Sequence, residues 1–477
     1  MDQIKNFIKN LFLFLFLFLF LDFSYAGQIS DVSQEAVTNT SNTSNTSVLN
    51  NKNKSKAEAS TVPFQIYRFN TAEGMPVIFI PVHDIPILVA KLGFYAGSGY
   101  DPIGAFGLAD FVAHGIGAAM GDQIAEQLDS SGAMIQANVS PDLSVLTMHA
   151  LTDPEDLNNA LSTFVPMVTA LNFSESNFQF LKQEQLAEIG LKNKNPVYLA
   201  ETALKSDLFN GTPYAHPVIG DVASVGGLTQ SMCLNFYQNY YVVQNAFLVL
   251  VGDINLDQAH VWANAFSSHL PNGARASGLL IQPGSIQRRL IHIDFNSDQT
   301  TVLMGARAYA AKDPKNPALL AGMTMIAGPT MDSILFHRLR QLSLVDGLRG
   351  IVQPDEFSGW TGLLAQTQSQ NVDVVIQTMQ STLDAVSSGT LDTGAGHSVF
   401  ENARNFLIGN FSLSYGSDEK LADLMKSLLA YQFQSDYIQN RPQDFLLLTQ
   451  KAVQTTFESL ENNNNNNSWV TVTVGKN

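Results

Sequence analysis

The stretch Gly107-Leu-Ala-Asp110-Phe-Val-Ala113-His114 holds the residues of this sequence whose spacing comes nearest to a known chemistry. Two histidines four apart share one face of a helix. With a glutamate just before the second they read H-x-x-E-H, a set that holds zinc and supplies a base for the proton of its bound water. Here the first position is Asp110, the base position is Ala113, and only His114 is kept. A methyl group accepts no proton, and loss of a general base costs on the order of 10²- to 10⁴-fold in rate. The stretch has the spacing of a metallohydrolase helix and neither its base nor its full pair of histidines.

The elements that must position this helix follow from the chain on either side. At 477 residues, with 45% apolar and 14% charged residues, the chain is long enough for two or more domains with large cores. The formal charge of -16 excludes a phosphate-backbone binder, which needs clustered Lys and Arg. Lys5 and Lys9 precede the apolar run Leu11 to Leu21 and the small-residue site ending at Ala26. That order reads as a signal peptide over 1–26, cleaved so that no stable membrane anchor remains. Residues 27–61 are rich in Ser, Thr, Asn and Lys and read as a disordered polar tether. Cys233 is the only cysteine, so no internal disulfide can form.

Order is expected from residue 62. Strands are expected at 64–69, 75–80 and 87–94, then the helix of Asp110 and His114, a helix over 121–130, and strands at 133–139 and 143–150. Helices at 155–171, 175–191 and 197–208, a strand at 246–251 and a helix at 256–268 complete a first half over 62–270. After a linker at 271–285 a similar order begins again and fills 286–477. Strands are expected at 289–295, 300–308 and 469–474. Between them helices are expected at 316–327, 331–341, 371–387, 395–411, 418–432 and 442–458. Matching halves suggest an internal duplication.

Several separated motifs resemble the insulinase/pitrilysin-type zinc peptidases, the branch that includes the mitochondrial processing peptidases. They are Ala96-Gly-Ser98, Gly107 to His114, Gly132-Ala-Met-Ile-Gln136-Ala137 with Asp142 and Ser144, Pro213-Tyr-Ala-His-Pro217-Val-Ile-Gly220, Asn245-Ala246 with Gly252-Asp253, and Ser333-Ile-Leu-Phe-His-Arg-Leu-Arg340. The resemblance covers about residues 63 to 475. It implies an α+β fold of two homologous domains, each a mostly antiparallel sheet with helices packed on one face, forming a clam-like chamber.

The resemblance also implies roles. The family's third zinc ligand is a glutamate on a later helix, matched by Glu188, with Glu184 as its neighbour. Two carboxylates and one imidazole make a harder, less zinc-selective set than two imidazoles. No cofactor is therefore expected, and a metal held by Asp110, His114 and Glu188 stands as the alternative. His83, His149 and His216 have no spacing that recommends them as a replacement. Arg340 matches an arginine that grips the substrate backbone, but the tyrosine that accompanies it is absent, and realigning the loop brings only Arg349 near. Gln136 matches a residue on the edge strand to which substrate peptide adds. The expected function is a catalytically inactive subunit that partners an active zinc-peptidase paralogue and helps enclose unfolded peptide, in the periplasm of a Gram-negative bacterium. The alternatives are a divergent metal-dependent endopeptidase using Asp110, His114 and Glu188, and a scaffold without a peptidase partner.

Overall fold

The computed structural model describes residues 63–118, 128, 130–169, 171, 174–284, 286, 289–390, 399–462 and 469–476. The signal peptide and the tether expected over 1–61 lie outside the described residues, as does nearly all of the helix expected over 121–130. No described helix is long and apolar enough to cross a membrane.

The first half contributes strands β1 (Tyr67–Asn70), β2 (Pro76–Pro81), β3 (Ile87–Phe94), β4 (Met134–Val139), β5 (Ser144–Leu151) and β6 (Ala246–Gly252). Its helices are α1 (Leu108–Ala118), α2 (Pro154–Thr169), α3 (Glu175–Lys192), α4 (Pro196–Leu208), α5 (Val222–Gly226), α6 (Gln230–Tyr240) and α7 (Leu256–His269). The second half contributes β7 (Arg289–Asp294), β8 (Gln299–Ala308), β9 (Gly347–Gln353), β10 (Gly359–Gln368) and β11 (Val470–Gly475). With them come α8 (Asn316–Ala327), α9 (Val372–Ser388), α10 (Val399–Phe411), α11 (Asp418–Ala430), α12 (Tyr437–Leu446) and α13 (Gln450–Asn462).

The two sheets establish the duplication. Their orders are β1-β2-β6-β3-β5-β4 and β7-β11-β8-β10-β9. In each, the opening strand runs parallel to the closing one, β2 with β6 and β7 with β11. All other pairings are antiparallel, and each sheet ends in a hairpin, β4-β5 or β9-β10. Once β1 is set aside the topologies coincide strand for strand.

Period-two alternation gives the central strands two buried apolar faces. Leu88, Ala90 and Leu92 of β3 pack with Leu248 and Leu250 of β6 under α1, α2 and α7, the first half's own helices. Val89 of β3 and Val249 of β6 point the other way, onto Leu421, Leu424, Met425 and Leu428 of α11 from the second half. The exchange is reciprocal. Leu303, Leu364, Val470 and Val472 of the second sheet are covered by Ala200, Leu204 and Leu208 of α4, from the first half. Own helices thus cover one face, as expected, and a helix lent by the other half covers the second. Lys91, buried on β3, pairs with Glu419 and, at 3.1 Å, with Asp423 of α11.

Some elements depart from expectation. The hairpin β9-β10 escapes sequence reading because glycines at 347, 350, 359 and 362 dilute its strand signal. Helix α6 is built from poor helix formers and is capped by Thr229, whose side chain accepts from the Met232 amide. Of the helix expected at 331–341, only the five-residue π-helical turn Phe336–Arg340 and the helical residues 334–335 before it form. The single helix expected at 442–458 is two, α12 and α13.

Candidate functional site

Helix α1 is held at its start by backbone crowding and a buried carboxylate. Asp101 accepts from the Gly107 and Ala109 amides, both at 2.7 Å, which caps the helix. Burial holds that carboxyl well above the ordinary carboxylate range. Gly107 has φ +89° and Gly220 φ +77°, and a Cβ on either would run into the other's segment, the Ile219 or the Phe106 carbonyl oxygen. Gln185 of α3 donates to the Gly107 carbonyl at 3.0 Å and the Ile219 carbonyl at 2.9 Å. The segment Pro213 to Gly220 is therefore the seat on which α1 rests.

On α1, Asp110 is buried and His114 is half-exposed. His114 Nδ1 lies 2.9 Å from the Asp110 carbonyl oxygen and 3.5 Å from its Oδ1. Ala113, where the base would stand, is buried in the core. Glu188 is exposed on α3 and forms an ion pair with Lys192 at 3.4 Å, one turn on. Lys192 also lies over the Tyr198 ring, 5.8 Å from its centroid. Burial raises the Tyr198 phenol, with Lys192 opposing and with Glu188 and Asp110 adding to the rise. The structure thus brings Asp110, His114, Glu188, Lys192 and Tyr198 to one neighbourhood, where an ammonium already serves Glu188.

Zinc needs three protein ligands around one point. Among the described residues no group of three or more His, Cys, Asp or Glu side chains is arranged to hold a metal. With Glu188 drawn to Lys192 and Ala113 in the base position, the donor set does not fit a catalytic zinc, and no step is derived through one. The histidines set aside from the sequence have structural partners. His83 meets Asp253 at 2.6 Å, His149 meets Glu419 at 3.2 Å, and His216 stacks on Phe106 with ring centroids 4.1 Å apart.

Gln136 is exposed on β4, which among the described residues pairs with β5 alone and so forms an edge of the first sheet. Arg340 is exposed at the end of the π-helical turn and donates to the Asp346 carbonyl of its own loop. Arg349 on β9 reaches Glu201 of α4 at 3.4 Å. Sequence reasoning missed Lys192 and Tyr198. Lys192 carried a readable signal, since it stands four residues after Glu188, one residue past the helix expected at 175–191. Tyr198 carried none, because its approach depends on how α3 and α4 are joined.

A duplicated α+β chain with this helix at the head of its first half has the architecture of a two-domain zinc peptidase. The family model described as Insulinase (Peptidase family M16) matches residues 86–222, and that described as Peptidase M16 inactive domain matches residues 228–394. The chain belongs to the insulinase family of M16 peptidases. It is 22% identical over 337 residues to a protein of Rickettsia bellii named an uncharacterized zinc protease, across 70% of this chain and 80% of that one. It is 22% identical over 352 residues to the non-peptidase homolog YmxG of Helicobacter pylori, across 70% of this chain and 77% of that one. Among solved structures, an M16 inactive-domain protein from Pseudomonas fluorescens superposes with a TM-score of 0.80 at 23% identity, over 87% of this chain and 98% of the other. With alanine in the base position and one histidine replaced, the chain is an inactive-type member of its family.

Proposed function

We propose that this chain is the non-catalytic subunit of an exported two-subunit peptidase, lending its sheet edge and its walls to an active zinc-bearing paralogue that cuts unfolded peptide in the periplasm. One observation carries the reading: the groups that seat α1, namely Asp101, Gly107, Gln185 and Gly220, are all in place, while the base position on that helix is a buried methyl group. A seat kept without its chemistry favours a binding role. The edge strand β4 supports peptide capture, because a strand added there is held by backbone amides and carbonyls and needs no catalytic side chain.

The test is to assay the mature protein for peptide hydrolysis alone and with a co-purified paralogue carrying an intact H-x-x-E-H. The reading expects no chelator-sensitive cleavage by the chain alone and more cleavage by the pair than by the paralogue alone. Chelator-sensitive cleavage by the chain alone that is lost in His114→Ala would overturn it in favour of a divergent endopeptidase. A partner lacking H-x-x-E-H would point to a scaffold.

A further inference from the structure

The tips of the two equivalent hairpins meet between the halves, one bringing a buried carboxylate to the contact and the other a buried and a half-buried one. Asp142 stands in the turn between β4 and β5, and Asp355 and Glu356 stand in the turn between β9 and β10. Asp142 is 1% exposed and Asp355 5%, so neither is solvated. Both oxygens of Asp142 are acceptors: the Glu356 amide donates to Oδ2 at 2.8 Å across the interface, and the Tyr214 hydroxyl donates to Oδ1. Those two bonds favour a charge on Asp142 over one on its neighbours, so it is the first of the three to ionise. A second buried negative charge on Asp355 beside it is then costly, since like charges sharing a site do not ionise together.

The surrounding groups come from every element packed there. Lys205 of α4 faces Asp355. Arg275 of the linker and Lys312 of the loop after β8 face Glu356. Arg275 also lies over the Tyr95 ring at 4.0 Å. The phenols of Tyr100, Tyr214 and Tyr431 feel the same carboxylates and are themselves pushed up, first by burial.

We infer that the two hairpin tips form a proton-operated latch between the halves, closed while Asp355 and Glu356 hold protons and loosened as they ionise. Burial raises all three carboxyls above the ordinary range, with Asp142 adding to the rise at Asp355 and Glu356; Glu356 is pushed up to about 7. A carboxyl raised in the closed state binds protons more tightly there than in the open state. Its contribution to closure is therefore complete below the open-state value and is lost as pH rises through the closed-state value. The latch is tight near pH 5 and weak by pH 8.5.

The test is amide hydrogen exchange on the full chain at pH 5 and pH 8.5, each corrected for the intrinsic rate, following segments 140–145 and 353–358 with β11 as the internal reference. Protection of the two tips is expected to fall at least about tenfold on going to pH 8.5, at ten-fold per unit of pKa difference, while β11 holds. In Asp355→Asn and in Glu356→Gln that fall shrinks. Equal protection of the tips at both pH values, or a fall shared in full by β11, would overturn the latch on the wild-type chain alone, whether or not the variants fold. Variants that fold and keep the wild-type fall would overturn it as well.

Discussion

If each half lends a helix to the other's sheet, a cavity cut in the first half must destabilise the second. Leu204 is the place to cut. It lies on α4, within the first half of the chain, is fully buried, and packs on the second sheet with Leu303, Leu364 and Val472. It sits directly over Gly305 of β8, where the absence of a side chain leaves nothing to collapse into a void. Leu204→Ala therefore keeps most of the cavity it makes, which places its cost at about 3 to 5 kcal/mol, in the upper part of the range for such changes. Because that surface is shared, the whole cost falls on a transition in which both halves unfold. Trp262 reports the first half, and Trp360 and Trp469 report the second; these are the only tryptophans. Single-tryptophan versions followed through guanidinium unfolding are expected to lose the same midpoint at both reporters. A midpoint lowered only at Trp262, with Trp360 and Trp469 unmoved, would refute reciprocal cover.

Three further outcomes follow from the geometry. Gly107→Ala forces a positive φ on alanine and drives its Cβ into the Ile219 carbonyl, so it costs at least about 1–3 kcal/mol from the backbone alone and loosens the exchange protection of α1. Asn245→Ala leaves three bonds of a fully buried side chain unmade, to the Tyr95 carbonyl, the Tyr240 carbonyl and the Ala276 amide of the linker; a loss of about 3 kcal/mol is expected in denaturant unfolding. His114→Ala, at a half-exposed ring bonded to its own helix, is expected to shift stability by less than about 0.5 kcal/mol. Added zinc should leave the stability of wild type and variant alike, whereas a ligand held by the folded state alone would raise that of the wild type.

How far the sequence could be read depended on whether a residue's partner is near in the chain. Helices α1 to α4 announce themselves by local periodicity, and so do the apolar strands β3 and β6. The topology of the second sheet was not legible, because β10 is a strand only by virtue of pairing with β8 and β9 only by pairing with β10; in isolation their glycines and polar residues read as loop. The motif that resembles the family at Pro213 to Gly220 was visible, but its role was not, since Gly220 is required only where Phe106 crosses it. Asp142 was likewise visible as a motif residue, while its partners lie 72 and 214 residues away. At the candidate site, the missing base at Ala113 was plain. The pairing of Glu188 with Lys192 follows a helical spacing that could have been read.

The edge strands at the hairpin ends of the two sheets, β4 and β9, bear on where a peptide would add. By topology β4 and β9 are equivalents, each an outermost strand of its sheet and, among the described residues, each bonded on one side only. An unpaired edge invites another strand unless charge or cover blunts it. Strand β9 carries Arg349, tied to Glu201 of α4, and the loop leading into it is clamped by the bond from Arg340 to the Asp346 carbonyl. Strand β4, Met134-Ile-Gln-Ala-Asn-Val139, carries no charged residue, and its exposed positions are Met134, Gln136 and Asn138. Neutral, adaptable side chains on one face and open backbone along the edge suit a strand of varied sequence better than the charged edge of β9 does. The duplication thus supplied an equivalent pair of candidate edges, and their charges favour the one beside α1, the helix that has lost its chemistry, as the edge to which a peptide would add under the proposed function.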